Sequence, residues 1–352
     1  MSAAGSTITE LGFYALSSNP ASDRDVVEEV QDAERLGFGT AVISERFGER
    51  DATTIAGAAA AASNGISVMT AATNHNVRHP MVTASFARTM QGLTNNRFVL
   101  GIGRGIERQQ DAYGIARCTT AEIERFAATM RQLFRGEIVM SENADRHALF
   151  LDSDLNQYLP MSLAAFGDAS LKLGGRCFDH VVLHPFLTAE TTAHCARVVR
   201  ASAERAGRDP STVKIWASLV TTGDYLDQEL QLRKTVGQLT MYLQLYGNRL
   251  AAVNGWNKAT LDQILADPIV SWVRALEARG TCQQLEHVAS LIPRPWWENT
   301  AVGSPANCVA TIGRQFQLGC DGVILHGSAP RQLAPIIDCY RHITESAESE
   351  PR

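Results

Sequence analysis

Ile66-Ser67-Val68-Met69-Thr70-Ala71-Ala72-Thr73, then Asn74-His75-Asn76-Val77-Arg78-His79-Pro80, then a helical segment to Leu93, then Arg97-Phe98-Val99-Leu100-Gly101-Ile102-Gly103-Arg104-Gly105: this reads as strand, loop, helix, strand, with a glycine-rich turn at the end. The two strands are short apolar runs rich in β-branched residues, the composition of strands buried on both faces under helices. A helix between two such strands makes them parallel neighbours, because a parallel return needs a crossover. Polar and glycine residues follow each strand, at the carboxyl end where parallel α/β folds bind their ligands.

The same unit recurs on both sides. Upstream, Leu11–Leu16 and Thr40–Ser44 read as strands, Asp23–Leu36 as a helix capped by Ser22 or Asp23 and stopped by Gly37, and Asp51–Ser63 as an alanine-rich helix broken at Asn64-Gly65. Downstream, Thr119–Phe134 is an amphipathic helix, and strands are expected at Met161–Phe166, His180–His184, Val213–Thr221 and Gly322–His326. Helices are expected at Ala169–Cys177, Thr188–Ala206 and Leu226–Gly247. Ser304-Pro305 opens another by N-cap and N1-proline logic, and a last one starts near Pro330. Eight strand–helix units predict a single (β/α)8 TIM barrel spanning 1–352 as one domain. Residues 250–300 depart from the repeat and read as a helical insertion before the eighth strand. The polar stretch Gly136–Pro160 is long for a compact domain and reads as an excursion toward the active site.

The composition excludes several classes. The chain has 352 residues, 45% of them hydrophobic, and a formal charge of -5; it has no apolar run long enough to span a bilayer and no long block of like charge. Membrane and nucleic acid are therefore not expected partners. The N-terminus shows no basic segment followed by an apolar core, so a cytoplasmic location is expected. Seven cysteines are scattered without a C-x-x-C pair, as reduced thiols are. H-E-x-x-H, G-x-S-x-G, a P-loop and G-x-G-x-x-G are all missing, which speaks against zinc hydrolysis, serine hydrolysis, phosphoryl transfer and a Rossmann dinucleotide site. No metal site is expected.

Candidate site residues cluster after the strands. Gly101-x-Gly103-x-Gly105 lets backbone approach a phosphate or a ring, with Arg104 adding charge, or is a structural turn. The small Ala71-Ala72-Thr73 run can back a planar ring, permit a bulge, or pack inside a barrel. Glu45 at the end of strand two is an acid–base candidate, set against a surface ion pair with Arg46. His180 and His184 lie four apart on a strand and read as structural, and His79-Pro80 as a helix start. Trp296-Trp297 reads as a packing anchor for the insertion rather than a lid.

These residues resemble a known family. Strand three through Arg78-His79-Pro80, the run Asn95-Asn96-Arg97-Phe98-Val99-Leu100-Gly101-Ile102-Gly103-Arg104-Gly105, then Leu163-Ala164-Ala165-Phe166-Gly167 and Asp321-Gly322-Val323-Ile324-Leu325-His326-Gly327 are together similar to the bacterial luciferase-like flavin and deazaflavin oxidoreductases. The resemblance implies a TIM-type barrel that binds the deazaflavin coenzyme F420, or alternatively FMN, at the carboxyl ends of its strands. It implies a bulge with a cis peptide at Ala71-Ala72. It also implies a cofactor site formed by Arg46, Ala71, Ala72, Thr73, Asn74, Gly103, Arg104, Gly105, Gly167 and Asp168.

Ser44-Glu45-Arg46-Phe47 stands where the deazaflavin sugar-phosphate dehydrogenases carry Ser-Asp-His-Phe, so the acid is kept and the histidine is not. Their glutamate after the glycine turn is Ile106 here, with Glu107 one step later. Glu45 and, second, Glu107 are the proton-transfer candidates. The implied activity is hydride transfer between F420 and a small organic substrate. The alternatives are an FMN monooxygenase fed by a partner flavin reductase, and a non-catalytic cofactor-binding barrel. The oligomeric state is left open by the sequence, a homodimer being the form that related barrels often take.

Overall fold

Eight parallel strands follow one another around a closed ring in the computed structural model: β1 (Ile8–Tyr14), β2 (Phe38–Ile43), β3 (Ser67–Thr70), β4 (Phe98–Gly103), β5 (Met161–Ala165), β6 (His180–Leu183), β7 (Lys214–Gly223) and β8 (Gly322–His326). The ring closes where Leu11, Gly12 and Phe13 pair with Val323, Ile324 and Leu325. This is the TIM barrel expected from the repeat. The structure describes residues 7–17, 21–140, 147–152, 158–273 and 275–349. The first six residues, part of the N-terminal stretch read for a targeting signal, and parts of the 136–160 stretch lie outside the described residues.

Three apolar clusters divide the interior. Strand faces and the surrounding helices make the largest, from Leu11, Phe13 and Phe38 round to Ile336 and Ile337. Inside the barrel, Val42, Met69, Ala71, Val99, Val182, Trp216 and Ile324 fill the lumen. The third cluster belongs to the segment between β7 and β8, where Leu239, Leu243, Leu261, Leu285 and Val288 bury against Trp296.

That segment is helical, as expected: Lys258–Ala266, Pro268–Trp272, Leu276–Arg279 and Cys282–Leu291. Trp296 stacks on Trp256 with ring centroids 4.5 Å apart and planes 5° from parallel, which makes it the packing anchor. The helix before the insertion runs from Gln238 to Asn254, seven residues beyond Gly247. Gly255, at φ +67, ends it in the left-handed conformation.

Two expectations are corrected. Neither Ser22 nor Asp23 caps the first helix, which runs Asp25–Arg35 with Arg24 at the N-cap and no side-chain cap bond; the Ser22 hydroxyl instead accepts from the Arg24 N–H at 3.2 Å. The described parts of the 136–160 stretch belong to the other face. The stretch joins a helix to the start of β5, so it leaves the barrel at the amino ends of the strands, opposite the carboxyl-end face. Its described part pairs Val139–Met140 with Ala148–Leu149, and Tyr158 donates to Asp179 at 2.6 Å, just before β6 begins.

Candidate active site

At the carboxyl end of β3 the chain gains one residue on its neighbour. Met69 pairs with Val99 and Thr73 with Ile102, so four steps along one strand face three along the other. The extra residue makes a bulge, and the peptide between Ala71 and Ala72 within it is cis, where the family resemblance puts it. The bulge is pinned from three sides. Tyr14 donates to the Ala71 carbonyl at 3.1 Å, Ala71 N–H donates to Ile43, and Glu45 N–H to the Ala72 carbonyl at 3.1 Å. A Cβ on Gly103 would sit 2.9 Å from the Ala72 Cβ, so glycine there is a condition of the close approach. Gly105, at φ +81, then turns the chain into the short helix Glu107–Tyr113.

This bulge forms one side of a cavity of about 630 Å3 at the carboxyl ends of the strands, within the range of small-molecule sites. Arg46, Ala71, Ala72, Asn74, Gly103, Arg104, Gly105, Gly167 and Asp168 all line it, with Glu45. The topology thus gathers residues from the ends of β2, β3, β4 and β5 that are up to 123 positions apart in sequence (Asp168 minus Glu45).

Two sequence candidates stand outside the wall. Thr73 is buried and turned toward Glu45, donating to its Oε2 at 2.9 Å, because pairing with Ile102 directs it away from the cavity. Glu107 lies in the first turn of the exposed helix after Gly105 and pairs with Arg117 at 3.1 Å and Arg249 at 3.4 Å.

Glu45 does not pair with Arg46. Its side chain is 4% exposed and meets Arg78 Nη1 at 2.7 Å, while Ala52 N–H donates to its other oxygen at 3.1 Å. Both oxygens are thereby fixed in direction. Arg46 approaches Glu49 at 3.8 Å. Arg104 makes no ion pair among the described residues; its guanidinium donates to the Cys118 carbonyl at 3.1 Å and to Thr120 Oγ1 at 2.6 Å. The wall there keeps a fixed positive charge beside the glycine turn. On the β5 side, Gly167 is the N-cap of the helix Asp168–Cys177, with no side-chain cap bond, and Asp168, Ala169 and Ser170 of its first turn line the cavity.

Much of the remaining wall is aromatic. Met241, Tyr242, Leu245, Tyr246 and Arg249 come from one face of the Gln238–Asn254 helix, joined by Tyr14, Phe166, His184 and His326. The sequence reading had this helix as an element only; the spacing of these residues is the same stripe a helix shows when it merely packs on a core, so no local signal marks it as a cavity wall. The histidine at the end of β8 is wired in place: Tyr242 donates to His326 Nε2 at 3.2 Å and His326 Nδ1 donates to Gln238 Oε1 at 2.9 Å. Burial pushes His326 down to about 3 and His184 to about 4, so both rings are neutral near pH 7. Burial raises the hydroxyls of Tyr14 and Tyr246 above the usual tyrosine range and Tyr242 to about 12. Among the described residues no group of three His, Cys, Asp or Glu side chains is placed to hold a metal, and no helix is long and apolar enough to cross a membrane.

A parallel barrel with a bulged third strand, a glycine turn after the fourth and a cavity over their carboxyl ends defines the class. The family described as luciferase-like monooxygenase matches residues 9–322, and the chain belongs to it. A 5,10-methylenetetrahydromethanopterin reductase of Methanolobus tindarius is 25% identical over 224 residues, 61% of this chain and 66% of the relative. The matched segments span between 45% and 66% of the curated relatives. Among solved structures, the coenzyme F420-dependent tetrahydromethanopterin reductase of Methanopyrus kandleri superposes with a TM-score of 0.77 at 17% identity, covering 94% of this chain and 99% of that one. The oxygenating constituent of 3,6-diketocamphane monooxygenase of Pseudomonas putida, in complex with FMN, gives 0.64 at 17% identity over 94% and 95%. The fold is common to both.

Proposed function

We propose that this chain is an F420-dependent oxidoreductase of the cytoplasm, acting on a small organic substrate as a homodimer. The observation that carries the reading is the bare strip of wall formed by Ala71, Ala72 and Gly103, with Arg104, Gly105 and the Gly167 helix start beside it. A planar ring system packs against such a strip, and an anionic tail is met by Arg104 and the N–H groups at Gly167. The residues fit a deazaflavin, which when bound supplies or accepts the hydride. Arg46, Ala71, Ala72, Asn74, Gly103, Arg104, Gly105, Gly167 and Asp168 are assigned to hold it.

Glu45 is assigned to hold or move a proton at its carboxyl group, with Thr73 and Arg78 setting its direction. Glu107 is assigned the lesser part of steadying Arg249. The aromatic wall excludes water and orients the substrate. A second reading, an FMN monooxygenase taking reduced flavin from a partner reductase and oxygen from solution, is favoured by the FMN-bound neighbour.

The test is a parallel titration of the purified protein with F420 by fluorescence and FMN by absorbance. Saturable binding of F420 alone is expected, and Glu45→Gln is expected to keep that binding while turnover falls by about 100-fold or more. Binding of FMN alone moves the assignment to the monooxygenase, and binding of neither removes both.

A further inference from the structure

A row of polar contacts fastens the aromatic wall to the end of β8. Lys234, Gln238 and Tyr242 stand four positions apart, from the π-helical turn Arg233–Gly237 into the Gln238–Asn254 helix, so they share one side of it. All three reach His326-Gly327: Lys234 Nζ donates to the Gly327 carbonyl, and Gln238 and Tyr242 hold the two ring nitrogens of His326. Lys234, Gln238 and His326 are each no more than 6% exposed, so water competes little for these bonds. Apolar side chains tolerate small rotations of a helix, whereas buried directional bonds do not.

The direction of each bond follows from the far end of the row. Gln238 Nε2 faces the Ser17 carbonyl at 3.5 Å; a carbonyl only accepts, so the amide NH2 is on that side and Oε1 is toward His326. Oε1 also only accepts, so Nδ1, 2.9 Å away, carries the imidazole proton. Burial keeps the ring neutral near pH 7, which leaves Nε2 a lone pair to accept the Tyr242 hydroxyl at 3.2 Å. The amide has a prepared place, since a Cβ on Gly327, at φ +89, would come within 3.0 Å of Gln238 Nε2. On its other side His326 meets Tyr14 edge-on at 5.0 Å, and Tyr14 donates to the Ala71 carbonyl of the bulge. The imidazole thus stands between the bulge and the aromatic helix.

We propose that His326 is a positioning residue for the substrate side of the cavity: held in its Nδ1–H tautomer by Gln238, it accepts the Tyr242 hydroxyl and so fixes the rotation at which the Gln238–Asn254 helix presents Tyr242 and Tyr246. The one hydroxyl proton of Tyr242 is then committed to His326 and is not offered to a substrate. The proposal rests on the hydride-transfer reading only for calling this the substrate side, and it gives His326 no contact with the reacting atoms.

The test is 15N NMR of the histidine side chains of the full chain at pH 7, beside 19F NMR of the same chain labelled with 3-fluorotyrosine. His326→Gln and Tyr246→Phe assign the two signals that matter. His326 is expected to be neutral with Nδ1 protonated, a reading made on the unaltered protein, so the proposal does not hang on any variant folding. Tyr242→Phe is expected to keep that tautomer, because Gln238 still accepts from Nδ1, while Gln238→Met turns it into a mixture of the two. The Tyr246 signal is expected to shift in both variants; a histidine that merely packs would leave it in place. The Nε2–H tautomer or an imidazolium in the unaltered protein, an unchanged tautomer in Gln238→Met, or an unmoved Tyr246 signal in that variant overturns the proposal. F420 binding is read by fluorescence in a parallel sample. Failure to bind F420 with the expected NMR signals upholds the role of His326 in the wall and removes the hydride-transfer reading. F420 binding with the other tautomer does the reverse.

Discussion

A few residues at the carboxyl ends of β3 and β4 decide whether the cavity has a flat wall. Gly103 is the most exacting of them, since its missing side chain is what lets Ala72 approach. Gly103→Ala adds an atom 2.9 Å from a Cβ that is fixed to the backbone, so either the bulge or β4 has to shift. We expect a stability loss of about 1–3 kcal/mol, read as a lower urea midpoint, together with weaker F420 binding. An unchanged midpoint with unchanged binding would show that the close approach matters to neither. Glu45 teaches a complementary lesson at the same scale. The sequence placed it next to Arg46, and proximity in sequence made that the obvious pair; in the fold, Arg78 reaches it from 33 residues away, across the β2–β3 junction.

At the scale of elements, the strand–helix repeat and the segment that interrupts it behave as different units. The segment between β7 and β8 closes over its own apolar cluster, with the stacked Trp256 and Trp296 at its heart. Trp296→Ala removes one of those faces and leaves a cavity, which costs about 3–5 kcal/mol for a buried tryptophan. The loss is expected to appear locally: amide exchange should accelerate in Lys258–Ala266 and Cys282–Leu291, while β1 to β6 keep their protection. Equal acceleration in the strands would mean that the segment and barrel unfold as one. The same scale explains why the described parts of the 136–160 stretch lie away from the strands' carboxyl ends. Its length was a sound signal of something unusual, but length says nothing about which end of the barrel a connection leaves from; its position between a helix and the next strand does.

For the whole molecule, neutral histidines that are buried or partly buried tie stability to pH. His180 and His184 are pushed down to about 4 and His326 to about 3, each chiefly by burial, against about 6.5 in an unfolded chain. Between those values the unfolded chain binds protons the folded one refuses. The contribution is therefore complete above pH 6.5 and is lost as pH falls toward the folded values, at up to about 1.4 kcal/mol per pH unit for each histidine. Urea unfolding at pH 7, 6 and 5 should show His184→Phe falling less steeply than the parent by about one histidine's share; parallel curves would mean that this ring titrates freely in the folded protein.

The barrel itself was legible without coordinates, because a helix-period pattern alternating with short β-branched runs leaves a chain few ways to bury both, and eight repeats close a ring. The glycine turn and the strand-end polar residues were legible too, since glycine at such a place answers to local backbone geometry; the bulge at Ala71-Ala72 came from the family resemblance, the alanine run by itself leaving a ring wall, a bulge and close packing open. What only the tertiary structure decided is who meets whom across the cavity. His184 reads as one more strand residue and Tyr242 and Tyr246 as one more helix stripe. Their facing one another is set by the closure of β6, β7 and β8 and by the angle at which the Gln238–Asn254 helix lies over the strand ends. That angle depends on packing between distant elements, and no local pattern in the chain encodes it.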